Sequence, residues 1–369
     1  MSASSPATGK GTGRIPLFLC IFIAGAAGLV YEVIWSRQLT LFLGTSAYAH
    51  AAVLTAYMLG LGLGSFVLGR VVDRLNNEVR LYGIMELCIG AYALVMPYFI
   101  SGVSGLYPAL APVLGISGII PDAARFLTAV CLMLVPTFIM GGTLPVLVKG
   151  LTRNLEHLGQ NTARIYSVNT FGAAAGAYMT GYVLIPQFGV QLSTWIGVSL
   201  NILAGATVVM LYYGLRNPGG TPEAPGQEKK APRQAFDVKE GLNDRQAIIL
   251  LAGFGVSGFV AMQLQVSWIK SLVLVIGSSV YAFSATLAVF LVGIAAGSMI
   301  AAPLCRHAGT QKLVKLAIAL QALLAVFALA SIAIIGRMPE WFISAFTREW
   351  MRSFAGVQAF EISLVFAAL

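Results

Sequence analysis

Ionisable and amide side chains inside apolar stretches are the first candidates for chemistry in this chain. Five of them lie well inside long apolar runs: Glu32, Arg37, Gln38, Gln265 and Lys270. Charged groups are costly in hydrocarbon, so those that occur there commonly bind a solute, an ion or each other. Two interpretations stay open. Glu32 belongs to a polar pocket that binds a solute, or it forms an ion pair with Arg37 near the lipid headgroups.

Polar residues of neighbouring segments extend this set of translocation candidates. Tyr48 and His50 open the second apolar segment, where they could complete a pocket with Glu32, and Asn169 lies in the fifth segment. An isolated amide in a membrane helix commonly forms a hydrogen bond to a neighbouring helix. His50 has no second ligand at metal-binding spacing, so no metal site is predicted. Glu86 is interpreted as capping a basic loop.

No catalytic motif occurs in residues 1–369. The chain has no G-x-G-x-x-G after a strand, no Walker loop, no H-E-x-x-H and no nucleophile elbow. Its longest polar stretch is too short to fold as an enzyme domain. We therefore assign no catalytic residue and no cofactor to this chain.

The elements that position these residues are membrane helices. Apolar residues make up 58% of the chain and charged residues 10%, whereas soluble domains carry about 25% charged residues. A helix needs about 20 apolar residues to cross a bilayer. Ten such segments are predicted, at residues 15–43, 47–69, 81–103, 124–149, 163–185, 190–215, 246–276, 279–302, 312–336 and 355–369.

The distribution of lysine and arginine predicts the orientation of these segments. Basic residues lie before segment 1 and in the connections after segments 2, 4, 6 and 8, whereas the loop after segment 5 has none. Loops rich in Lys and Arg stay in the cytoplasm. We predict a multi-pass protein of the bacterial inner membrane with a cytoplasmic N-terminus. The net charge of +9 then reflects contact with the bilayer rather than with nucleic acid.

An internal repeat divides the chain into two related parts. A shift of 233 residues aligns residues 24–65 with 257–298 without a gap, and 14 of the 42 positions are identical. The copies have the same orientation, which predicts an all-α bundle of two parallel repeats. The predicted divisions are a flexible cytoplasmic N-terminus (1–14), a six-helix repeat (15–216), a disordered cytoplasmic linker (217–244) and an incomplete second repeat (245–369).

The same shift places Leu369 opposite Pro136, halfway through segment 4. We therefore expect the protein to continue beyond this residue with at least two more helices. Pro136 and Pro145 flank Gly141 and Gly142, and this combination predicts a broken or kinked helix.

Pairs of small residues one helical turn apart predict close helix crossings. They favour static helix packing, and the alternative is a sliding surface used during transport. The glycines concerned are Gly60, Gly64, Gly172, Gly176, Gly293 and Gly297.

Three stretches of the chain resemble one known family. GLVYEVIWSRQLTLFLGTSAYAHAAVLTAYMLGLGLGSFVLGR (28–70), PTFIMGGTLPVL (136–147) and RIYSVNTFGAAAGAYMTGYVLIPQFG (164–189) are similar to bacterial membrane proteins in which a major-facilitator-like part is fused to a spermidine synthase. Gly69, Asp73 and Arg74 are similar to the G-x-x-x-D-R loop between helices 2 and 3 of major-facilitator transporters.

This resemblance implies a major-facilitator-like bundle that anchors or serves a cytoplasmic aminopropyltransferase domain. Such a domain would bind decarboxylated S-adenosylmethionine and putrescine, and its residues are absent from this chain. Two alternatives remain open. The chain is a secondary transporter of major-facilitator type for a small solute, for which a cation is one option, or it is a membrane scaffold that transports nothing.

Overall fold

The computed structural model describes residues 14–44, 46–72, 75, 77–113, 119–152, 158–214, 243–277, 279–307, 310–345 and 354–368. These residues are almost entirely helical and include no β-strand. The predicted flexible N-terminus and the predicted linker lie outside the described residues, apart from the last residue of the first and the last two of the second.

Ten α-helices occur in the described ranges, one for each predicted apolar segment. They are α1 (Arg14–Leu43), α2 (Ser46–Val72), α3 (Glu78–Val113), α4 (Ile119–Leu151), α5 (Leu158–Met179), α6 (Ile185–Gly214), α7 (Asp244–Ile276), α8 (Ser279–His307), α9 (Thr310–Ala345) and α10 (Phe354–Ala368). The predicted helical membrane bundle is confirmed. The segments were predictable because a backbone in hydrocarbon satisfies its own hydrogen bonds by forming a helix.

Eight helical stretches among the described residues are long and apolar enough to cross a membrane. One of them spans α5 and α6 together and has 54 residues, about twice the length that one crossing requires. The chain is therefore a multi-pass membrane protein.

The connection between α5 and α6 differs from the loop predicted there. A π-helical turn, Thr180–Leu184, joins the two helices directly. The helical path breaks at Gly189, where φ is 72° and ψ is 176°. Glycine adopts a positive φ without the steric cost that a side chain imposes. The two crossings therefore meet at a single-residue break rather than at an extended loop.

The prediction for α4 was a broken or kinked helix. A break is wrong, because α4 stays helical through Pro136 and Pro145, and the kink stays a prediction. A proline inside a helix leaves the carbonyl of the fourth preceding residue without its usual donor. For Pro136 that carbonyl belongs to Leu132, and the Tyr92 hydroxyl of α3 donates to it at 2.7 Å. A neighbouring helix thus satisfies the group that the proline frees.

Helices α1 to α6 pack closely in pairs, with α2 against α4, α1 against α5, and α3 against α6. Glycines lie at all three crossings. A methyl group added to Gly60 of α2 would overlap Thr137 of α4, and one added to Gly172 of α5 would overlap the Phe22 carbonyl of α1. The main contact between α1–α6 and α7–α10 is the crossing of α5 with α8, where the Ser167 hydroxyl donates to the Ala295 carbonyl at 3.3 Å.

Candidate functional site

A cavity of about 500 Å³ lies between the helices of the two repeats. Helices α1 to α6 form one side of it, and α7 and α8 form the other. Most of its wall is apolar, and a small set of polar side chains points into the same space. The principal ones are Glu32, Tyr57, Glu86, Asn169, Asn201 and Gln265. We call this space the central cavity.

Glu32 brings a carboxylate to the wall of the central cavity from the middle of α1. The residue is only 4% exposed. One turn earlier, the Gly28 carbonyl accepts a 2.9 Å hydrogen bond from the Tyr57 hydroxyl of α2. This bond joins α2 to α1 one turn from Glu32. The two packed helices therefore fix the position of the Glu32 carboxylate in the cavity wall.

Glu86 supplies a second buried carboxylate, and the interpretation of this residue as a loop cap is wrong. It is 4% exposed, and its Oε2 accepts a 2.6 Å hydrogen bond from the Asn201 Nδ2 of α6. Tyr82, one turn earlier on α3, also forms a hydrogen bond with this carboxylate. Sequence reasoning missed Asn201, although an isolated amide in an apolar helix is a signal for this residue, as it is for Asn169.

Two further side-chain amides line the central cavity from opposite sides. Asn169 lies on α5 where this helix crosses α1, and a methyl group added to Gly25 of α1 would overlap the backbone carbonyl of Asn169. Gln265 of α7 is almost completely buried, and its Nε2 has no hydrogen-bond partner among the described residues. The cavity therefore contains a donor that a ligand could engage.

Two alternatives were predicted for Glu32, a pocket shared with His50 and an ion pair with Arg37, and both are wrong. Arg37 and His50 line a separate cleft that does not include Glu32. Five residues of an α-helix span about 500°, so Glu32 and Arg37 point about 140° apart. No ion pair joins the described side chains of Glu32 and Arg37, so the alternative pairing is not formed.

His50, Lys270 and Gln38 do not line the central cavity. His50 stacks on Phe283, with ring centroids 4.8 Å apart, and Lys270 is exposed. Gln38 is partly buried, and its Oε1 has no partner among the described residues. The side chain of Tyr48 lies outside the described residues.

The predicted G-x-x-x-D-R loop is described only at its start. Asp73 and Arg74 lie outside the described residues. In the described part of this connection, the Lys149 ammonium at the end of α4 donates to the carbonyls of Val72 and Leu75. It also forms an ion pair with Glu78 at 3.2 Å. This cation therefore links the end of α2 to the start of α3.

The charge of the central cavity is one-sided. Its described lining includes the carboxylic acids Glu32 and Glu86 and no lysine or arginine. No group of three described His, Cys, Asp or Glu residues is arranged to hold a metal ion. The arrangement suits an organic cation, whose charge the carboxylates balance and whose apolar part the surrounding wall accepts.

Comparisons with known proteins agree with this architecture. Over about half of its length the chain is 25% identical to the polyamine aminopropyltransferase of Shewanella oneidensis, matching 52% of this chain and 35% of that protein. It is also 25% identical to polyamine aminopropyltransferase 2 of Streptomyces coelicolor, over 54% of this chain and 34% of that protein. The match thus spans about a third of the length of these curated relatives. No solved structure matches the chain.

A family model covers nearly the whole chain. The model described as Major Facilitator Superfamily matches residues 17–367, which include all the helices that line the central cavity. The chain therefore belongs to the Major Facilitator Superfamily.

Proposed function

We propose that this protein is a secondary transporter that binds a small organic cation in the central cavity. The observation that carries the proposal is the presence of two buried carboxylates, Glu32 and Glu86, in one cavity whose described lining contains no basic residue. A buried acid without a basic partner is costly in a membrane protein, and a bound cation offsets that cost.

The remainder of the cavity wall favours an organic cation over a bare metal ion. Apolar side chains such as Met140 and Leu287 surround the polar groups. Phe290 adds an aromatic ring, whose face attracts cations. A solute with an ammonium group and a hydrocarbon portion would contact both kinds of surface.

The location of the cavity supports transport rather than static binding. It lies between two repeats, which is where alternating access exposes a site to each side in turn. The Major Facilitator Superfamily assignment supports the same function. We place the protein in the bacterial inner membrane with a cytoplasmic N-terminus, on the basis of its basic connections.

Uptake of radiolabelled organic cations into proteoliposomes tests this function. We expect Glu32→Gln to lower the flux about ten- to hundredfold, because a charged hydrogen bond contributes about 1.5–3 kcal/mol. Glu340→Gln is the matched control, since Glu340 is exposed on α9 and lies outside the cavity. Unchanged flux in a well-folded Glu32→Gln protein would contradict the proposal, and a wild-type protein that moves no cation would favour the scaffold.

A second candidate function rests on the relatives. The matching proteins of Shewanella oneidensis and Streptomyces coelicolor are named polyamine aminopropyltransferases. We propose on this basis that the chain is the membrane portion of an aminopropyltransferase-related protein. Membranes from cells that express the complete gene should then transfer an aminopropyl group from decarboxylated S-adenosylmethionine to putrescine, and membranes without such activity would oppose this candidate.

A further inference from the structure

A second cleft lies at the end of the bundle opposite Arg14. It consists of two adjoining concavities of about 330 and 230 Å³ that share Arg37 and Val280. Its walls come from the end of α1, the start of α2, the region around Gly189 and the start of α8. We call it the outer cleft. Its lining does not overlap that of the central cavity.

The outer cleft has the opposite charge to the central cavity. The Arg37 guanidinium projects into both concavities, and no described lining residue is acidic. Arg37 forms no ion pair with any described carboxylate. The Lys270 ammonium lies close enough to interact electrostatically with His50, which lines the outer cleft. The cleft therefore has a positive potential and attracts anions.

Backbone geometry adds hydrogen-bond donors to this charge. Helix α8 begins at Ser279, and Val280 in its first turn lines the cleft. The break at Gly189 starts a second run of helix in the same wall. The first amides of a helix have no carbonyl partner within that helix, and they carry a partial positive charge.

A buried hydroxyl is an independent observation that points to a ligand site in the cleft. Ser36 lines the larger concavity, is 2% exposed and has no hydrogen-bond partner for its Oγ among the described residues. Burying a hydroxyl without a partner is unfavourable. An anionic oxygen in the cleft would accept a hydrogen bond from Ser36 beside the charge of Arg37.

We propose that the outer cleft binds a phosphate group through the Arg37 guanidinium, the Ser36 hydroxyl and the first amides of α8. These donors come from different sides, and a tetrahedral phosphate presents acceptor oxygens in more directions than a planar carboxylate does. Arginine also binds phosphate oxygens in a bidentate manner. This site is independent of cation transport in the central cavity.

The distance of Arg37 from Arg14 makes two sources of phosphate available. With Arg14 at the first membrane surface, as its basic charge predicts, Arg37 lies about 35 Å away along α1, beyond the roughly 30 Å of hydrocarbon and at the headgroup level of the second surface. A lipid headgroup reaches this level from the bilayer, and a soluble phosphate reaches it from water.

Two assays on the purified full chain distinguish these sources. In the first, native mass spectrometry counts the phosphatidylglycerol molecules retained after mild delipidation. In the second, thermal unfolding in detergent is followed during a titration with inorganic phosphate. Arg37→Gln and Ser36→Ala are the test variants. Arg70→Gln is the matched control, because Arg70 is exposed near the far end of α2.

We expect Arg37→Gln to weaken binding about ten- to hundredfold and Ser36→Ala about two- to tenfold, and Arg70→Gln to leave it unchanged. An Arg37-dependent loss of retained phosphatidylglycerol identifies a lipid headgroup, and an Arg37-dependent phosphate titration identifies a soluble ligand. If Arg37→Gln and Arg70→Gln behave alike in both assays, the site does not exist. If Arg37→Gln is not recovered folded, a Ser36→Ala protein that binds like the wild type overturns the proposal.

Discussion

Helices α2 and α8 carry the same glycine pattern in the two copies of the repeat but pack differently. A methyl group added to Gly64 of α2 would overlap the Phe138 carbonyl of α4, whereas the equivalent Gly297 of α8 has open space at that position in the described structure. The first pair of helices shows the same trend. Within an apolar 18-residue stretch of each helix, 61% of the residues of α1 are buried, compared with 6% of those of α7.

This difference shows that a glycine pattern makes close helix packing possible but does not by itself produce it. A glycine allows two backbones to approach, but the approach also requires a partner helix in the right place. Both copies of the repeat have these glycines, but only in the first copy does a described helix pack against them. Equivalent residues still meet where the copies face each other, because His50 stacks on Phe283, its counterpart after the shift of 233 residues.

The largest expected contrast comes from alanine at the equivalent glycines. Gly64→Ala should destabilise the protein by about 1–3 kcal/mol, because the new methyl group meets backbone atoms that cannot move aside. Gly297→Ala should stabilise it by about 0.5–1 kcal/mol, because alanine favours a helix and no described atom lies within 4 Å of the added methyl group. Thermal unfolding of both variants in the same detergent measures this contrast.

The signs of the two changes are the decisive readout. If Gly297→Ala destabilised the protein as much as Gly64→Ala, another segment or subunit would cover α8 at this glycine, and the asymmetry between the copies would disappear.

The next contrast exchanges the polar groups that the two copies place in the central cavity. Glu32 and Gln265 are equivalent residues and line the same space. If the cavity needs a carboxylate rather than this particular position, Gln265→Glu should restore at least about tenfold of the cation flux that Glu32→Gln removes. Proteoliposome uptake by the double variant measures the recovery.

A control keeps this exchange interpretable. Gln265→Glu in the wild-type background adds a third carboxylate and should leave the protein folded and able to bind the cation. If the double variant is as inactive as Glu32→Gln alone while both proteins are folded, Glu32 acts through its own location and the two copies are not interchangeable.

The smallest contrast concerns Tyr57 and its counterpart Phe290. Tyr57→Phe removes the hydrogen bond to the Gly28 carbonyl and should cost about 0.5–1.5 kcal/mol. The copy already has phenylalanine at this position, so α7 and α8 are held together without this bond. Unfolding temperatures of Tyr57→Phe and wild type provide the test, and equal temperatures would show that the bond does not fasten α2 to α1.

The number and type of the described helices followed from the sequence, since an apolar run of membrane length has few alternatives to a helix. Their limits did not, because α3 continues to Val113 and α9 to Ala345, beyond the apolar runs predicted at 81–103 and 312–336. Glu32, Asn169 and Gln265 were also identifiable, because a polar residue stands out in an apolar helix. The hydrogen bond between Glu86 and Asn201 was not identifiable. It joins residues 115 positions apart, and no local pattern states which faces of α3 and α6 meet.

What the sequence determined by itself is local: helical crossings, the repeat, and the presence of costly polar groups within the membrane. Tertiary structure decided how these groups are divided. Helix rotation and packing bring Glu32 and Glu86 to one cavity and Arg37 and Ser36 to another, so the molecule separates acidic from basic chemistry along a single helix. The physical reason is that a helix positions its side chains by angle as well as by height, and only its neighbours determine which angle faces a cavity.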